Sequence, residues 1–213
     1  MKNFNINKNS TQSGRSMIEM LGVLAIVGVL SVGGIAGYSK AMEKFKINKT
    51  AEQISQVVTN IRTLYAQQTT YEGLNVANAI KMGVVPDSLA TSNNWPYIKH
   101  SFNGEVEIDT LINGSKYFSV GYGGLPKEAC IALATYDWGD KYSSGLISLS
   151  ISGANGVSIY RNLDNDDQPL PKGCSARTDY DTFICTGQTM PVSSVAEVCN
   201  GCTPYCGMTW LYQ

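Results

Sequence analysis

The sequence predicts an α+β protein in which one long N-terminal α-helix packs on an antiparallel β-sheet with a disulfide-bonded C-terminal region. Three observations support this prediction. A charge-free run over residues 20–39 continues into a helical apolar stripe. Short strand patterns separated by turn signals follow that stripe. All six cysteines lie between residues 130 and 206, which confines the predicted disulfides to the C-terminal half.

The charge-free run has the length of a transmembrane helix. At a rise of about 1.5 Å per residue, residues 20–39 span roughly the 30 Å hydrocarbon core of a bilayer. Glu19 lies at the edge of this run, where an unpaired carboxylate is costly and therefore needs a role. Gly33 and Gly34 lower the helix propensity. They predict a flexible joint with close helix packing; the alternative is that they are glycines tolerated in a membrane helix.

Two other interpretations fit this run. A secretory signal peptide would use the small residues of Gly34-Ile35-Ala36 for cleavage and start the mature chain at Gly37. A plain signal anchor would keep the run as a permanent membrane segment. The length of the run and the helical pattern that continues beyond it favour a longer helix over both.

The helical pattern continues past the predicted membrane segment. Apolar residues recur at spacings of three and four, which marks one face of an amphipathic helix: Ala51, Ile54, Val58, Ile61 and Tyr65. The helix is therefore predicted over about residues 16–67. The polar residues between them predict that the opposite face of this helix is exposed to solvent.

Shorter elements are predicted beyond this helix. Pro126 suits the first position of a helix because its missing N–H would have no partner there. Ala154-Asn155-Gly156 is a hairpin signal because Asn and Gly accept a positive φ. The predicted helices cover residues 76–82, 126–135 and 194–199, and the predicted strands lie around residues 106–108, 116–121, 146–152, 157–160 and 208–212. The remaining tail after residue 164 is predicted to be loop.

Charge and cysteine content limit the compartment and the partners. A net charge of -1 gives no expectation of nucleic-acid binding. Lysines flank the apolar run on both sides, so the positive-inside rule does not orient it. An even number of cysteines beyond the run predicts disulfides in an oxidising compartment, which places the C-terminal domain outside the cytosol. The spacing Cys199-x2-Cys202-x3-Cys206 also has some similarity to zinc sites, although His100 is the only histidine.

Several of these features together resemble the type IV pilins and their pseudopilin relatives. Gly14 precedes the apolar helix, and Glu19 lies five residues after Gly14. The amphipathic extension of the helix is continuous. Residues 82–86, 125–130 and 195–199 resemble more closely the type IVb pilins, the toxin-coregulated and bundle-forming kind. The resemblance implies a type IV pilin fold with four segments: a leader over residues 1–14, a transmembrane and filament-core helix over 15–39, its amphipathic half over 40–68, and a globular head over 69–213.

The resemblance also implies how the N-terminal segment is processed and assembled. In that family a prepilin peptidase cuts after the Gly and usually methylates the new N-terminus, so the resemblance implies cleavage after Gly14. Arg15 replaces the apolar residue usual at the first mature position, and the alternative is that this arginine slows cleavage or abolishes methylation. We still expect cleavage because Gly14 and Glu19 keep their spacing. Glu19 is expected to pair with the terminal amine of a neighbouring subunit; the alternative is that it reaches water. The apolar side chains expected in the filament core are Met20, Leu21, Val23, Leu24, Ile26, Val27 and Leu30.

For the head, the resemblance implies a disulfide between Cys130 and Cys199, which leaves Cys174 with Cys185 and Cys202 with Cys206 as local pairs. Fifteen connectivities are possible for six cysteines. No cofactor or metal is predicted. Calcium is an alternative, since the oxygens of three clustered aspartates suit that ion, but their order does not match an EF-hand loop and a solvated acidic loop is the simpler interpretation: Asp164, Asp166 and Asp167.

The predicted function is that of a structural pilus subunit. No pairing of a nucleophile with a base is visible, so an enzyme and any catalytic residue are not expected. The expected partners are other copies of the chain, prepilin peptidase, the pilus or type II secretion assembly machinery and, before assembly, the inner membrane. The alternatives are a pseudopilin or minor pilin, and a membrane-anchored extracytoplasmic binding or adhesive protein that does not polymerise.

Overall fold

A computed structural model of the chain describes residues 17–92, 97–110, 116–139, 143–153, 173–177, 182–186 and 190–213. The chain divides into two compact units, Met1–Lys44 and Phe45–Gln213. The predicted leader over residues 1–14 lies outside the described residues, as does the predicted hairpin at residues 154–156.

Helix α1 runs over Met17–Leu64 and confirms the predicted long helix. It ends three residues before the predicted end at residue 67, because bonds from Ala66 N to the Thr63 oxygen and from Gln68 N to the Tyr65 oxygen form a tighter turn. In the first unit, its side chains are exposed almost throughout. One 18-residue stretch of this helix has a mean hydropathy of 2.2 with none of it buried, so it is long and apolar enough to cross a membrane.

Three shorter helices belong to the second unit. Helix α2, Val76–Lys81, is capped by Asn75, whose side-chain oxygen accepts a hydrogen bond from Asn78 N. Helix α3, Lys127–Ala134, and helix α4, Val192–Gly201, each follow a proline in an extended conformation. Helix α4 is longer than the predicted turn over residues 194–199, because Pro191 supplies an earlier start.

The described strands form one antiparallel sheet in the order β1-β2-β3-β4-β8-β5-β7-β6. The C-terminal strand β8 lies between β4 and β5, and every residue of it is buried. The strands are β1 Ala90–Ser92, β2 Tyr97–Lys99, β3 Glu105–Thr110, β4 Phe118–Leu125, β5 Leu146–Ser152, β6 Gly173–Arg177, β7 Thr182–Thr186 and β8 Cys206–Tyr212.

Four of these strands correct the sequence prediction. Strands β1 and β2 are three residues long, too short to show an alternating apolar pattern. Strands β6 and β7 fall in the tail that the sequence predicts to be loop. Strand β6 consists of small and polar residues and β7 is only five residues long, and Cys174 and Cys185 face each other directly across the pair. A disulfide thus joins two strands that the pattern of apolar residues in the sequence does not predict.

The core of the second unit lies between one face of α1 and the sheet. Ile54, Val57 and Ile61 are completely buried there, and burying each such side chain contributes about 1.5–3 kcal/mol. Two polar side chains of α1 tie the helix to the segment after α2. Gln53 donates to the Ser88 carbonyl and Asn60 donates to the Val84 carbonyl, both at 2.8 Å.

Aromatic rings fill the other side of the core around β8. Trp210 is completely buried and meets the rings of Tyr122 and Trp138 edge to face, at 6.0 and 5.2 Å between centroids. Phe118 stacks on Tyr212 at 5.5 Å. These contacts join β4 and β8 with the segment after α3.

Candidate functional site

The most prominent surface in the first unit is the apolar side of α1. Side chains of this size are normally buried in a soluble protein, yet the seven predicted assembly residues are 48–69% exposed: Met20, Leu21, Val23, Leu24, Ile26, Val27 and Leu30. The described part of the chain therefore leaves these side chains to be covered by lipid or by other protein chains.

Glu19 lies in the first turn of α1. The unpaired N–H groups there carry a partial positive charge that stabilises a carboxylate by about 0.3–1 kcal/mol. Among the described residues, none offers a cation to the Glu19 carboxylate. The predicted processing residues Gly14 and Arg15 lie outside the described part of the chain.

Gly33 and Gly34 lie within α1, and the helix continues through them without interruption. A Cβ atom added at either glycine would meet nothing within 4 Å. The same is true of the other glycines of this segment, Gly22, Gly28 and Gly37. Packing inside the chain therefore does not require glycine at these positions, and flexibility or close approach by another helix remains the predicted reason.

The six cysteines form three disulfides in the second unit. Cys130 of α3 is bonded to Cys199 of α4, with 5.9 Å between their Cα atoms. The other bonds are Cys174–Cys185, across β6 and β7, and Cys202–Cys206, between α4 and β8. These are the pairs that the pilin resemblance implies.

The same disulfides bear on the zinc alternative. The sulfur atoms of Cys130, Cys199 and Cys206 lie within 4.8 Å of one another and all three are buried. Each sulfur is already part of a disulfide, whereas a zinc ligand must be a thiolate. The aspartates of the calcium alternative lie outside the described residues.

His100 is a buried histidine with both ring nitrogens occupied. Its Nε2 atom lies 2.8 Å from the Gly123 carbonyl oxygen, and the Phe102 backbone N–H donates to Nδ1 at 3.2 Å. These partners fit a neutral ring protonated at Nε2. Burial lowers the pKa of His100 more than the Gly123 contact raises it. The residue therefore has a structural role.

Sequence reasoning did not identify a groove between α2 and strands β2 and β3. It has a volume of about 670 Å³, and the carboxylates of Glu105, Glu107 and Asp109 line it together with Lys99. The alternation of acidic and apolar residues along β3 is the signal that could have indicated it. The groove adds a charged face to the head without a catalytic arrangement.

Comparison with known proteins places the chain among the pilins. The family model described as bundlin matches residues 39–178. The chain belongs to the bundlin family. This membership confirms the resemblance to type IVb pilins, and it identifies a structural subunit of a pilus rather than an enzyme.

Individual relatives agree with this family. The chain is 27% identical over 152 residues to the major structural subunit of bundle-forming pilus from Escherichia coli O127:H6, covering 71% of this chain and 77% of the relative. It is 20% identical over 206 residues to the toxin coregulated pilin of Vibrio cholerae, covering 93% of this chain and 89% of the relative.

Two solved structures were also similar. A type IV b pilin from Salmonella typhi gives a TM-score of 0.46 at 15% identity, covering 80% of this chain and 99% of that one. TcpA, a type IV pilin from Vibrio cholerae El Tor biotype, gives a TM-score of 0.48 at 15% identity. The match covers 78% of this chain and 97% of that one. The family assignment depends on the sequence match to bundlin.

Proposed function

We propose that this bundlin-family chain is a pilin precursor that is cut after Gly14 and polymerises through α1 into a surface filament. The observation that carries the proposal is the exposed apolar side of α1 in a chain of a pilin family. Such a surface is unstable in water, and the relatives named as pilus subunits use their chains to build polymers. A filament core of packed α1 helices would cover it.

The association energy would come mainly from this apolar side. Burying each large side chain contributes about 1.5–3 kcal/mol relative to exposure to water. When the helix leaves lipid instead, the hydrophobic gain is small and close packing becomes the main term. The glycines of α1, where an added Cβ would meet nothing within 4 Å, would then allow neighbouring helices to approach.

Glu19 would set the axial register of the filament. Cleavage after Gly14 creates a new amine at residue 15, and in a filament core of low dielectric this amine attracts a carboxylate far more strongly than in water. A buried charge without a partner is strongly unfavourable. A subunit would therefore dock where its amine and a neighbour's Glu19 meet. Arg15 adds a second cation close to the same carboxylate.

The proposed life cycle follows from these features. The precursor is stored in the inner membrane with its head on the extracytoplasmic side, where the three disulfides form. Prepilin peptidase removes the leader and methylates the amine, and the assembly machinery moves the subunit into an extracellular pilus. The match to the bundlin family favours this output over a type II secretion pseudopilin.

Electron microscopy of sheared filaments, combined with the intact mass of their subunit, tests the proposal. We expect filaments whose dominant subunit lacks residues 1–14 and carries one methyl group. A chain that begins at Met1 or at Gly37 and yields no filament would overturn the proposal. A minor pilin or pseudopilin would be cleaved but would form only a small part of the sheared fraction.

A further inference from the structure

A cluster of lysines follows the charge-free run of α1 directly. Residues 40–49 contain four lysines and one acidic residue, Glu43, so this ten-residue segment carries a net charge of +3. In the proposed orientation these lysines lie outside the cytosol. The positive-inside rule works against that arrangement, so insertion into the membrane does not account for them.

Two of these lysines are exposed, whereas Lys46 and Lys49 are only partly so. Lys40 and Lys44 are exposed, and a separation of four residues places them on the same face of a helix. Within the described residues, neither forms an ion pair or a hydrogen bond. Lys46 differs, because its ammonium lies 5.8 Å from the centroid of the Phe102 ring. It therefore makes a cation–π contact within the second unit.

Exposed aromatic rings accompany the two lysines. Tyr38 lies two residues before Lys40 and is 66% exposed, and Phe45 follows Lys44 directly and is 59% exposed. Tyrosine is enriched where a membrane-spanning helix meets the headgroup layer, because its ring is apolar and its hydroxyl is polar. The combination of such rings with lysines is typical of a membrane interface rather than of a contact that needs shape complementarity.

The position along α1 also fits a membrane interface. If residues 20–39 fill the hydrocarbon core, Lys40 is the first residue beyond it. Lys44 lies one helical turn further, about 6 Å away along the axis. Both flexible side chains can therefore reach lipid phosphates. Glu19 lies at the opposite edge of the same run.

We propose that Lys40 and Lys44, together with Tyr38, bind the anionic headgroups of phospholipids on the outer face of the inner membrane. This inference rests on the proposed storage of the precursor in that membrane. The contact holds the stored subunit at a fixed depth, and the subunit must break it when it is extracted into the filament. The partner is an acidic phospholipid, not a carboxylate surface of a neighbouring subunit.

Reconstitution of the full-length chain tests the proposal. The protein is placed in phosphatidylcholine vesicles containing phosphatidylglycerol, and spin-labelled analogues of the two lipids report their relative association constant with the helix. Lys40→Gln together with Lys44→Gln is compared with Lys81→Gln together with Lys116→Gln. Both control lysines are exposed residues of the second unit, so the two double variants lose the same charge.

We expect the parent to prefer phosphatidylglycerol and the preference to weaken as salt is added. Loss of Lys40 and Lys44 should lower the relative association constant by about fivefold for each lysine, since each contributes about 1 kcal/mol near an anionic surface. The control pair should behave like the parent. Unchanged disulfides and melting temperature in both variants would show that the head is folded.

An equal lipid preference in all three proteins would overturn the inference. It would also be overturned if Lys40→Gln with Lys44→Gln kept the lipid preference but lost filaments, which would assign the lysines to a subunit contact. Failure of the proposed function looks different, because the parent itself would then not insert into vesicles or would form no filaments in cells.

Discussion

The Nε2 atom of His100 lies 2.8 Å from the carbonyl oxygen of Gly123, and this contact joins the turn between β2 and β3 to the end of β4. The turn is compact at that point. Asn103 has a φ of 64°, which its short polar side chain tolerates. The next residue, Gly104, packs directly against both His100 and Gly123. These three residues form the His100 corner of the head, and two predictions concern it.

Gly104→Ala should destabilise the head strongly. The added Cβ would clash with the backbone oxygen of Gly123 and would lie 2.5 Å from His100 Nε2. The first atom is backbone, and the second belongs to a ring whose two nitrogens are both held by backbone partners. Overpacking of this kind costs about 3 kcal/mol. Thermal unfolding of the detergent-solubilised protein measures it. Gly201→Ala is the matched control, because its Cβ would meet nothing within 4 Å; equal losses for the two variants would contradict the prediction.

Stability should depend on pH through His100. Burial lowers the pKa of the folded histidine below its ordinary value, while the unfolded chain keeps a pKa of about 6.5. Below that pH the unfolded state binds more protons than the folded state, so the free energy of unfolding falls as pH falls. Above it the dependence disappears. His100 is the only histidine, which makes the assignment simple.

Urea unfolding between pH 7.5 and 5.5 checks this prediction, because most carboxylates stay ionised in that range. The slope below the unfolded pKa should be positive and at most about 1.4 kcal/mol per pH unit, the value for one extra proton on the unfolded state. His100→Gln removes the titrating ring and should flatten the profile, whatever its effect on stability at neutral pH. A variant profile with the same slope as the parent would assign the dependence to other groups.

How much the sequence predicts depends on the length and pattern of each element. Helix α1 and strands β3, β4, β5 and β8 were predicted because each is long enough to show a period in its apolar residues. Strands β1 and β2 were missed because three residues show no period. Strands β6 and β7 were missed although the pairing of Cys174 with Cys185 was expected, because a disulfide does not specify a hairpin.

The candidate assembly surface was predicted only in part. The apolar run indicates which side chains must be shielded from water by lipid or by another chain, and the same side chains are exposed in the structure. A single chain does not contain the surface that covers them, so the partner of Glu19 stays a prediction. The His100 corner was not predicted, because Gly104 and Gly123 are far apart in sequence and glycines carry no side-chain pattern.

The disulfides should contribute unequally to stability. Cys130 and Cys199 are 69 residues apart, whereas Cys202 and Cys206 are 4 apart. In the chain-entropy model the longer loop contributes about 4 kcal/mol and the shorter about 2 kcal/mol, since a longer loop restricts the unfolded chain more. All four cysteines are buried, so replacing either pair by alanine removes similar packing.

Urea unfolding of the two double-alanine variants measures this difference. The variant without Cys130 and Cys199 should lose about 2 kcal/mol more than the variant without Cys202 and Cys206. Peptide mapping without reduction should show that the remaining pairs are unchanged in each variant. A larger loss from the short loop would contradict the entropic explanation.

Arg62 should stabilise the chain terminus. Its guanidinium donates hydrogen bonds to the Ser144 carbonyl and, at 3.5 Å, to the Gln213 carbonyl, while Gln213 N donates to the Gly145 carbonyl at 2.9 Å. The residue thus ties the last turn of α1 to both the start of β5 and the end of β8. Arg62→Ala should lose about 1.5–3 kcal/mol, the usual worth of hydrogen bonds to a charged group.

Arg62→Lys separates charge from geometry. Lysine keeps the positive charge but lacks the planar fork that reaches two carbonyls at once, so an intermediate loss of stability is expected. Hydrogen exchange of the β8 amides should increase in the order parent, lysine variant, alanine variant. Equal exchange in all three proteins would show that the strand is held without Arg62.

Replacement of Glu19 tests the register proposal most directly. If its carboxylate matches the amine of a neighbouring subunit, Glu19→Ala leaves that amine buried and unpaired, a loss of about 3–5 kcal/mol for each contact. Repeated at every subunit of a polymer, a loss of this size should reduce the yield of sheared filaments by more than tenfold. Glu52→Ala is the matched control, since Glu52 is an exposed glutamate of the same helix and should keep the parental yield. Normal filaments from Glu19→Ala would mean that the apolar side chains alone set the register.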